Sequence, residues 1–191
     1  MKYKFLVLSA MMIIALSGCA SDINLPQPQK NGGMSLMEAL SKRKSTREFN
    51  SEKRLTDQQL ADLLWAACGL NREDKLTIPT ALNKQEVSIY VIVPEGAYIY
   101  DAKSNALNVV NAKDIRELAG KQEFAQKALL NIAIVSDKEK MPNDLYAGTS
   151  AGAVMQNIYL WCAANEVGTV TRGSFDEDAL AEALGLNENQ R

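Results

Sequence analysis

The spacing of apolar residues predicts two helices near the start of the folded part of the chain. Ser35 opens the stretch SLME and Thr56 opens TDQQ, and both tetrapeptides have the residue pattern of a reciprocal capping box. Gly69 marks the end of the second helix, because glycine is common just after a helix. The apolar face of that helix consists of Leu60, Leu63, Leu64 and Ala67.

Strand-like patterns follow in the middle of the chain. The run VSIYVIV at Val87–Val93 is rich in β-branched residues, and the turn PEG leads from it into a second strand, AYIYD. We predict a buried strand in NIAIVSD (131–137) and another in GTVTRGSF (168–175). A short helix is predicted in AKDIRELAG (112–120).

The longest helical pattern, from Asp144 to Val167, is dominated by small residues in its first half. Small residues let another backbone approach closely, so this helix is expected at the centre of the molecule, packed either within its own subunit or against a second copy. The acid-capped helix DEDALAEALGL ends near Gly185. Helices and strands mix without regular alternation, which predicts an α+β fold rather than a doubly wound sheet.

The first residues have the layout of a secretory signal. Lys2 and Lys4 precede an apolar run that is too short to span a bilayer. The run closes with LSGC, which resembles the lipobox of bacterial lipoproteins and makes Cys19 the expected lipidation site; the alternative is an ordinary signal peptide that carries a cysteine. Ala20 after that cysteine favours the outer membrane by enterobacterial sorting, and the protein would face the periplasm or the exterior.

The stretch that follows Cys19 is rich in Pro, Gln, Asn and Gly and has few large apolar residues. Such a composition is typical of a linker. We therefore predict a signal peptide at 1–18, a flexible tether at 19–34 and one folded domain at 35–191.

Composition narrows the possible chemistry. The chain has 21 basic and 23 acidic side chains and a net charge of −2, which gives no indication of a nucleic-acid partner. It contains no histidine, which excludes histidine-based triads and most zinc sites. The groups that could still carry out catalysis are carboxylates, lysine, tyrosine, a thiolate or a bound cofactor. Cys68 and Cys162 lie in apolar, helix-like surroundings and are predicted to be buried and unbridged.

Three separated stretches carry the candidate chemistry. The first, RKSTREF (43–49), places three cations around a Ser-Thr pair, and by itself it is either a solvated helix end or an anion clamp. The others are IPTALNKQ (78–85) and AGAVMQNIYLWCAANEVGTVTRGSFD (151–176). Their order and separation resemble the FMN-binding segments of the nitroreductase family of flavoproteins. The resemblance covers residues 35–185 and is closest to the branch that includes thiazoline-forming peptide dehydrogenases.

The resemblance implies that Arg43, Ser45 and Arg47 hold the phosphate and ribityl chain of FMN. Guanidinium groups suit phosphate because their fork of donors matches its oxygens, and a hydroxyl adds a short neutral contact.

At the flavin ring, the resemblance implies that Asn83 binds the pyrimidine edge, where an amide can meet both donors and acceptors. By itself Asn83 would be read as a loop asparagine that bonds its own backbone. Gly173 and Ser174 match the turn whose backbone amides face flavin N5 and O4. Gln156 and Asn157 are interpreted as structural polar groups of the helix.

The resemblance further implies a nitroreductase-like fold, with a central mixed or antiparallel sheet flanked by helices and the long helix at a homodimer interface. It implies FMN-dependent, ping-pong hydride transfer to or from a small organic molecule. The expected location outside the cytoplasm suggests either an extracytoplasmic donor, such as a quinol or another flavoprotein, or an oxidative reaction that consumes an acceptor. The chain stops at Arg191, where family members continue into a further strand, so that strand is expected to be missing. The alternative function is a lipid-anchored binding module that keeps the fold without flavin turnover.

Overall fold

The computed structural model describes residues 20–50 and 52–191. The predicted signal peptide and Cys19 lie outside this part of the chain. The strands are β1 (Ile23–Asn24), β2 (Leu70–Arg72), β3 (Lys75–Leu76), β4 (Val87–Val93), β5 (Gly96–Asp101), β6 (Ala106–Asn111) and β7 (Asn131–Ser136). The helices are α1 (Leu36–Lys42), α2 (Asp57–Cys68), α3 (Glu123–Lys127), α4 (Asp144–Ala164) and α5 (Glu177–Leu184), and short 3₁₀ turns cover Ala81–Asn83 and Arg116–Ala119.

A five-stranded antiparallel sheet forms the centre of the molecule, with strand order β1-β6-β5-β4-β7. The strands β2 and β3 form a separate antiparallel hairpin. On one face of the sheet, α2 and α4 contribute Leu64 and Val154 to the larger core cluster. On the other face, Leu180 and Leu184 of α5 pack with Tyr90 in a second cluster. Helices thus cover both faces, and the predicted α+β fold with a flanked sheet is confirmed.

The capping signals in the sequence locate the helix starts. Thr56 and Gln59 form both halves of the predicted capping box at α2, and Gly69 ends that helix. At α1, the Ser35 hydroxyl accepts a hydrogen bond from the Glu38 amide at 3.3 Å. The Glu38 carboxylate pairs with Lys42 at 2.9 Å, so the reciprocal half of that box is not made.

Two predicted elements are wrong. Residues 168–175 form a loop rather than a strand, because their backbone groups bond to several separate elements instead of one neighbouring strand. In the segment 112–120, which was predicted as a helix, only the 3₁₀ turn Arg116–Ala119 is present.

The predicted tether is also partly wrong, because residues 22–30 lie against the domain as an N-terminal strap. Ile23 and Asn24 pair with the start of β6, and Leu25 is buried. The buried Asn105 side chain donates hydrogen bonds to the backbone oxygens of Leu25 and Pro26, at 3.4 and 2.7 Å. The polar stretch that suggested a free linker therefore contains an edge strand of the sheet.

The strap crosses from the sheet to α2. At its start the Asp22 carboxylate accepts the Val109 amide at 2.8 Å, and at its end the Gln29 amide donates to Asp62 at 2.7 Å. The Lys30 ammonium lies 5.4 Å from the centre of the Trp65 ring. The ordered domain therefore begins well before Ser35.

The last residues of the chain lie along the open edge of β7. The amides of Ser136 and Arg191 each donate to the other residue's backbone oxygen, at 2.6 and 2.9 Å, and the Lys138 amide donates to Asn189. The expected absence of a further strand concerns chain beyond Arg191 and stays a prediction. Among the described helices, none has the length and apolar composition needed to cross a membrane.

Candidate functional site

The segment that follows α1 lies beside the loop that follows α4. The Thr46 amide donates to the Thr169 backbone oxygen at 2.8 Å. A Cβ atom added to Gly168 would lie 3.2 Å from the Thr46 side chain, so the two segments approach closely at this glycine. This contact brings the first and third candidate stretches together, as the resemblance implies.

Tyr159 of α4 joins the two stretches. Its phenol oxygen lies 2.9 Å from the Ser45 hydroxyl and accepts the Thr171 amide at 2.9 Å. The Arg43 guanidinium lies over its ring, 5.3 Å from the ring centre. Partial burial raises the pKa of Tyr159, but the hydrogen bonds from Ser45 and Thr171 and the Arg43 charge outweigh burial, and its pKa is net lowered.

The cations of this cluster have no acidic partners among the residues that the structure describes. Within residues 20–50 and 52–191, no ion pair includes Arg43, Lys44 or Arg47. Arg43 is half-buried against Tyr159, whereas Lys44 and Arg47 are exposed. The structure therefore groups Arg43 and Ser45 around one tyrosine, and it shows no hydrogen bond that ties Arg47 to them. A half-buried guanidinium beside a hydroxyl suits an anionic ligand such as a phosphate.

Asn83 is exposed and lies in a strained turn. Leu82, Asn83 and Gln85 all have left-handed backbones, with φ of 53°, 55° and 49°. Each such non-glycine residue costs about 1–2 kcal/mol, and this kind of strain concentrates at functional sites. Leu82 is 88% exposed.

Hydrogen bonds hold this turn against the β2–β3 hairpin. The Gln85 amide donates to the Thr80 hydroxyl at 3.1 Å, and the Gln85 side chain donates to Asn83 at 3.2 Å and to the Asp74 backbone oxygen. The Asn83 amide group reaches the Asp74 carboxylate at 3.4 Å. In the described structure Asn83 shares no hydrogen bond with Arg43, Ser45 or Arg47.

Gly173 and Ser174 present an open stretch of backbone. Both residues are exposed, and no hydrogen bond among the described residues uses either amide as a donor. A Cβ atom added to Gly173 would meet nothing within 4 Å. The flanks are fixed, since the Lys121 amide donates to Ser174 at 3.0 Å and the Arg172 guanidinium donates to Asn131 at 2.6 Å. Amides held open in this way can bind an electron-rich ligand atom.

The other predicted polar and sulfur groups have structural roles. The Asn157 side chain donates to the Ala66 backbone oxygen at 2.9 Å and so joins α4 to α2, as its structural interpretation predicts. Cys68 and Cys162 are free and buried, as predicted. Burial raises the pKa of each thiol to about 12, and both are therefore neutral at pH 7.

The small-residue face of α4 is open in the monomer. A Cβ atom added to Gly148 or Gly152 would meet nothing within 4 Å. Large apolar side chains are exposed on the same helix and on α1, among them Met37 at 74% and Leu145 at 73%. The remaining members of this apolar surface are Leu36, Leu40 and Tyr146. Ser150 and Ala153 of the same stretch pack within the subunit, so part of this face lies in its own core and part, at the two glycines, is open.

Sequence reasoning missed Tyr159 and Arg172. Tyr159 lies at helical spacing within an apolar helix, where a tyrosine is expected to be core, and only the folded chain shows its phenol at the Ser45 loop. Arg172 precedes the Gly173 motif directly, and a cation beside an expected backbone site is the signal that could have indicated it.

Comparison with known proteins gives a consistent assignment. The model of the nitroreductase family matches residues 40–191. A protein of Methanocaldococcus jannaschii classed as a nitroreductase is 29% identical over 188 residues, which cover 90% of this chain and 93% of the relative.

Solved structures agree with that assignment. A crystal structure from Ralstonia eutropha, also classed as a nitroreductase, has 37% identity and a TM-score of 0.83, and the match covers 91% of this chain and 86% of that one. A nitroreductase-class protein of Desulfovibrio desulfuricans, crystallised in complex with FMN, has a TM-score of 0.60 at 23% identity, covering 82% of this chain and 79% of that one. The predicted nitroreductase-like fold is confirmed, and this chain belongs to the nitroreductase family.

Proposed function

We propose that this protein is an FMN-dependent oxidoreductase that transfers electrons to or from a small organic molecule. The observation that carries the proposal is the cluster of Arg43, Ser45 and Tyr159, in which a half-buried guanidinium and two hydroxyls have no acidic partner in the described structure. FMN supplies hydride and electron transfer when it is bound. The protein supplies its position and its electrostatic surroundings.

The phosphate end of the cofactor would bind at the Arg43 cluster. Arg43 provides the charge-assisted contact, and Ser45 provides a short hydroxyl contact. Tyr159 holds both residues in place, because it touches Ser45 and lies under Arg43. Arg47 is exposed on the same segment and adds a second cation.

The flavin ring would lie against open backbone. Gly173 and Ser174 offer two unused amides for N5 and O4, and Gly173 leaves room for a flat ring to approach. Asn83 offers an amide group from a turn whose strained backbone is already fixed. A fixed donor needs little rearrangement when its ligand binds, which favours affinity.

We further propose a homodimer formed through α1 and α4. Exposed apolar side chains on both helices would be buried there, and the open glycines of α4 let two backbones approach closely. The expected membership of the thiazoline-forming branch stays a prediction from the motifs.

We also propose that a lipid on Cys19 anchors the protein in the cell envelope, with the outer membrane favoured. The LSGC lipobox supports it. The strap from Asp22 to Lys30 lies against the domain, so only a short stretch separates Cys19 from the folded surface. An extracytoplasmic donor such as a quinol or another flavoprotein suits this location.

Changing Cys19 to Ala should abolish lipid attachment, because no other residue can take the acyl chains at that cleavage site. We expect the variant to be unprocessed or to leave the membrane fraction, as measured by fractionation and by the mass of the mature N-terminus. A variant that is still cut at the same bond and still fractionates with membranes would contradict the anchor.

The oxidoreductase proposal predicts a yellow protein that undergoes reversible redox change. The chain from Ala20, loaded with FMN under anaerobic conditions, should lose its flavin absorbance with dithionite and regain it when a quinone or a nitroarene is added. Stable FMN binding without reoxidation by any acceptor would favour the binding module. Failure to take up FMN would contradict the oxidoreductase proposal and would also favour the binding module.

A further inference from the structure

Arg172 carries a half-buried cation without a compensating anion. In the part of the chain that the structure describes, its one hydrogen bond runs from Nη2 to the Asn131 side-chain oxygen at 2.6 Å, and no ion pair includes it. Burial lowers the pKa of its guanidinium, which shows that desolvation is not offset by a nearby carboxylate. A half-buried charge without an anionic partner keeps part of its desolvation cost, so a compensating role for Arg172 is worth testing.

The groups around this cation are also donors. Asn131 is 3% exposed, and its side-chain nitrogen has no hydrogen-bond partner. Gly173 and Ser174, the next two residues along the chain, present unused amides. One cation and several free donors therefore lie in this region, and no carboxylate of the described residues forms an ion pair with the cation.

The guanidinium is held in one place. A Cβ atom added to Gly120 would lie 2.8 Å from Arg172 Nη1, so the guanidinium lies directly against that glycine. Asn131 fixes its other side. Ser174 is tied to Lys121, which holds the exposed amides close to the same cation.

A fixed cation at this position discriminates between two charge states of a ligand. Bound FMN would accept a hydride, which is two electrons and one proton, from a donor that is thereby oxidised by two electrons, and the reduced ring would carry one negative charge. A cation in a partly desolvated site attracts that anion much more strongly than the neutral ring. The protein would therefore bind the reduced cofactor more tightly than the oxidised one, which raises the reduction potential.

We propose that Arg172 tunes the reduction potential of the bound flavin electrostatically, acting beside the Gly173 and Ser174 amides. This inference rests on the proposed function, because it needs FMN at the site. Arg172 is a positioning and electrostatic residue and need not touch the reacting atoms.

Arg172→Gln removes the charge but keeps an amide donor for Asn131. The midpoint potential of bound FMN, measured by equilibration with a reference dye, should fall. We expect at least a tenfold loss in the preference for reduced over oxidised cofactor, which corresponds to about 30 mV for a two-electron couple. Arg172→Lys keeps the charge. Its midpoint potential should therefore fall by less than about half as much as that of Arg172→Gln.

Two further variants make the test specific. Asn131→Asp keeps the cation and places a carboxylate against it, so it should also lower the potential. Lys103→Gln removes an equal charge at the turn between β5 and β6. Asn131, which binds Arg172, pairs through β4 with Ala97 near the start of β5, so Lys103 lies roughly 20 Å away at about 3.4 Å per residue. That distance exceeds the Debye length, and this control should leave the potential unchanged.

The outcomes separate the tuning role from the proposed function. Unchanged potential in Arg172→Gln, or equal shifts in Arg172→Gln and Arg172→Lys, would overturn the tuning role while leaving FMN binding intact. If Arg172→Gln fails to fold, the Asn131→Asp result decides in the same way. A wild-type protein that takes up no FMN would overturn the proposed function and this inference together.

Discussion

Arg43→Ala is expected to weaken FMN binding about 10- to 100-fold. A hydrogen bond to a charged group contributes about 1.5–3 kcal/mol, and each 1.4 kcal/mol corresponds to a tenfold change in affinity. Arg43 is half-buried over Tyr159 and has no acidic partner in the described structure, so its charge is free for a phosphate. The measurement is a titration of FMN into the apo-protein, followed by the quenching of flavin fluorescence.

Lys44→Ala is the matched control for Arg43. Lys44 is the next residue and carries the same charge, but its side chain is exposed. An exposed charge acts mainly at long range, contributes under about 1 kcal/mol and fades with salt. Equal small losses in both variants would mean that RKSTREF is a solvated segment after a helix rather than a phosphate clamp.

Gly152→Leu is expected to convert the protein to a monomer with little bound flavin. A Cβ atom at this position meets nothing in its own chain, so the variant subunit should still fold. In a closely packed dimer the added side chain would overpack the interface at about 1–3 kcal/mol in each of two symmetric copies. The dimer dissociation constant should therefore rise at least about 30-fold.

Gly152→Ala is the control that separates the effect of side-chain size from the effect of helix propensity. Both substitutions remove the conformational cost of glycine in α4, which is about 1 kcal/mol, but alanine adds only a methyl group. Analytical ultracentrifugation should show a dimer for Ala and a monomer for Leu, with flavin content following the dimer. A monomeric Leu variant that binds FMN at full stoichiometry would contradict a site built from both subunits.

Local signals in the sequence account for much of the fold. The α2 capping box, the β-rich run of β4 and the glycine after α5 each act through neighbouring residues, and the structure confirms all three. Tertiary partners determine the rest. The strap is polar in sequence but becomes an edge strand because Asn105, far along the chain, binds its backbone. Residues 168–175 have strand-like side chains, yet their backbone partners come from separate elements.

The residues of the candidate site, like the fold, could be predicted only in part from the sequence. Arg43 and Ser45 follow from a motif, and the structure brings them together. Tyr159 was missed because a helical pattern does not distinguish a core tyrosine from one that organises a loop. Arg172 was missed because a cation beside the Gly173 motif is only a weak signal. Its lack of an acidic partner among the described residues can be seen only after folding.

Comparing the binding of FMN with that of riboflavin tests the central claim most directly. The two molecules share the flavin ring and differ by one phosphate, so the difference in their affinities measures the contacts that the protein makes with the phosphate. The proposed site predicts saturable binding of one FMN per subunit and at least about tenfold weaker binding of riboflavin. The absence of saturable FMN binding, or equal affinities for the two molecules, would contradict the claim that this protein holds FMN through a phosphate clamp.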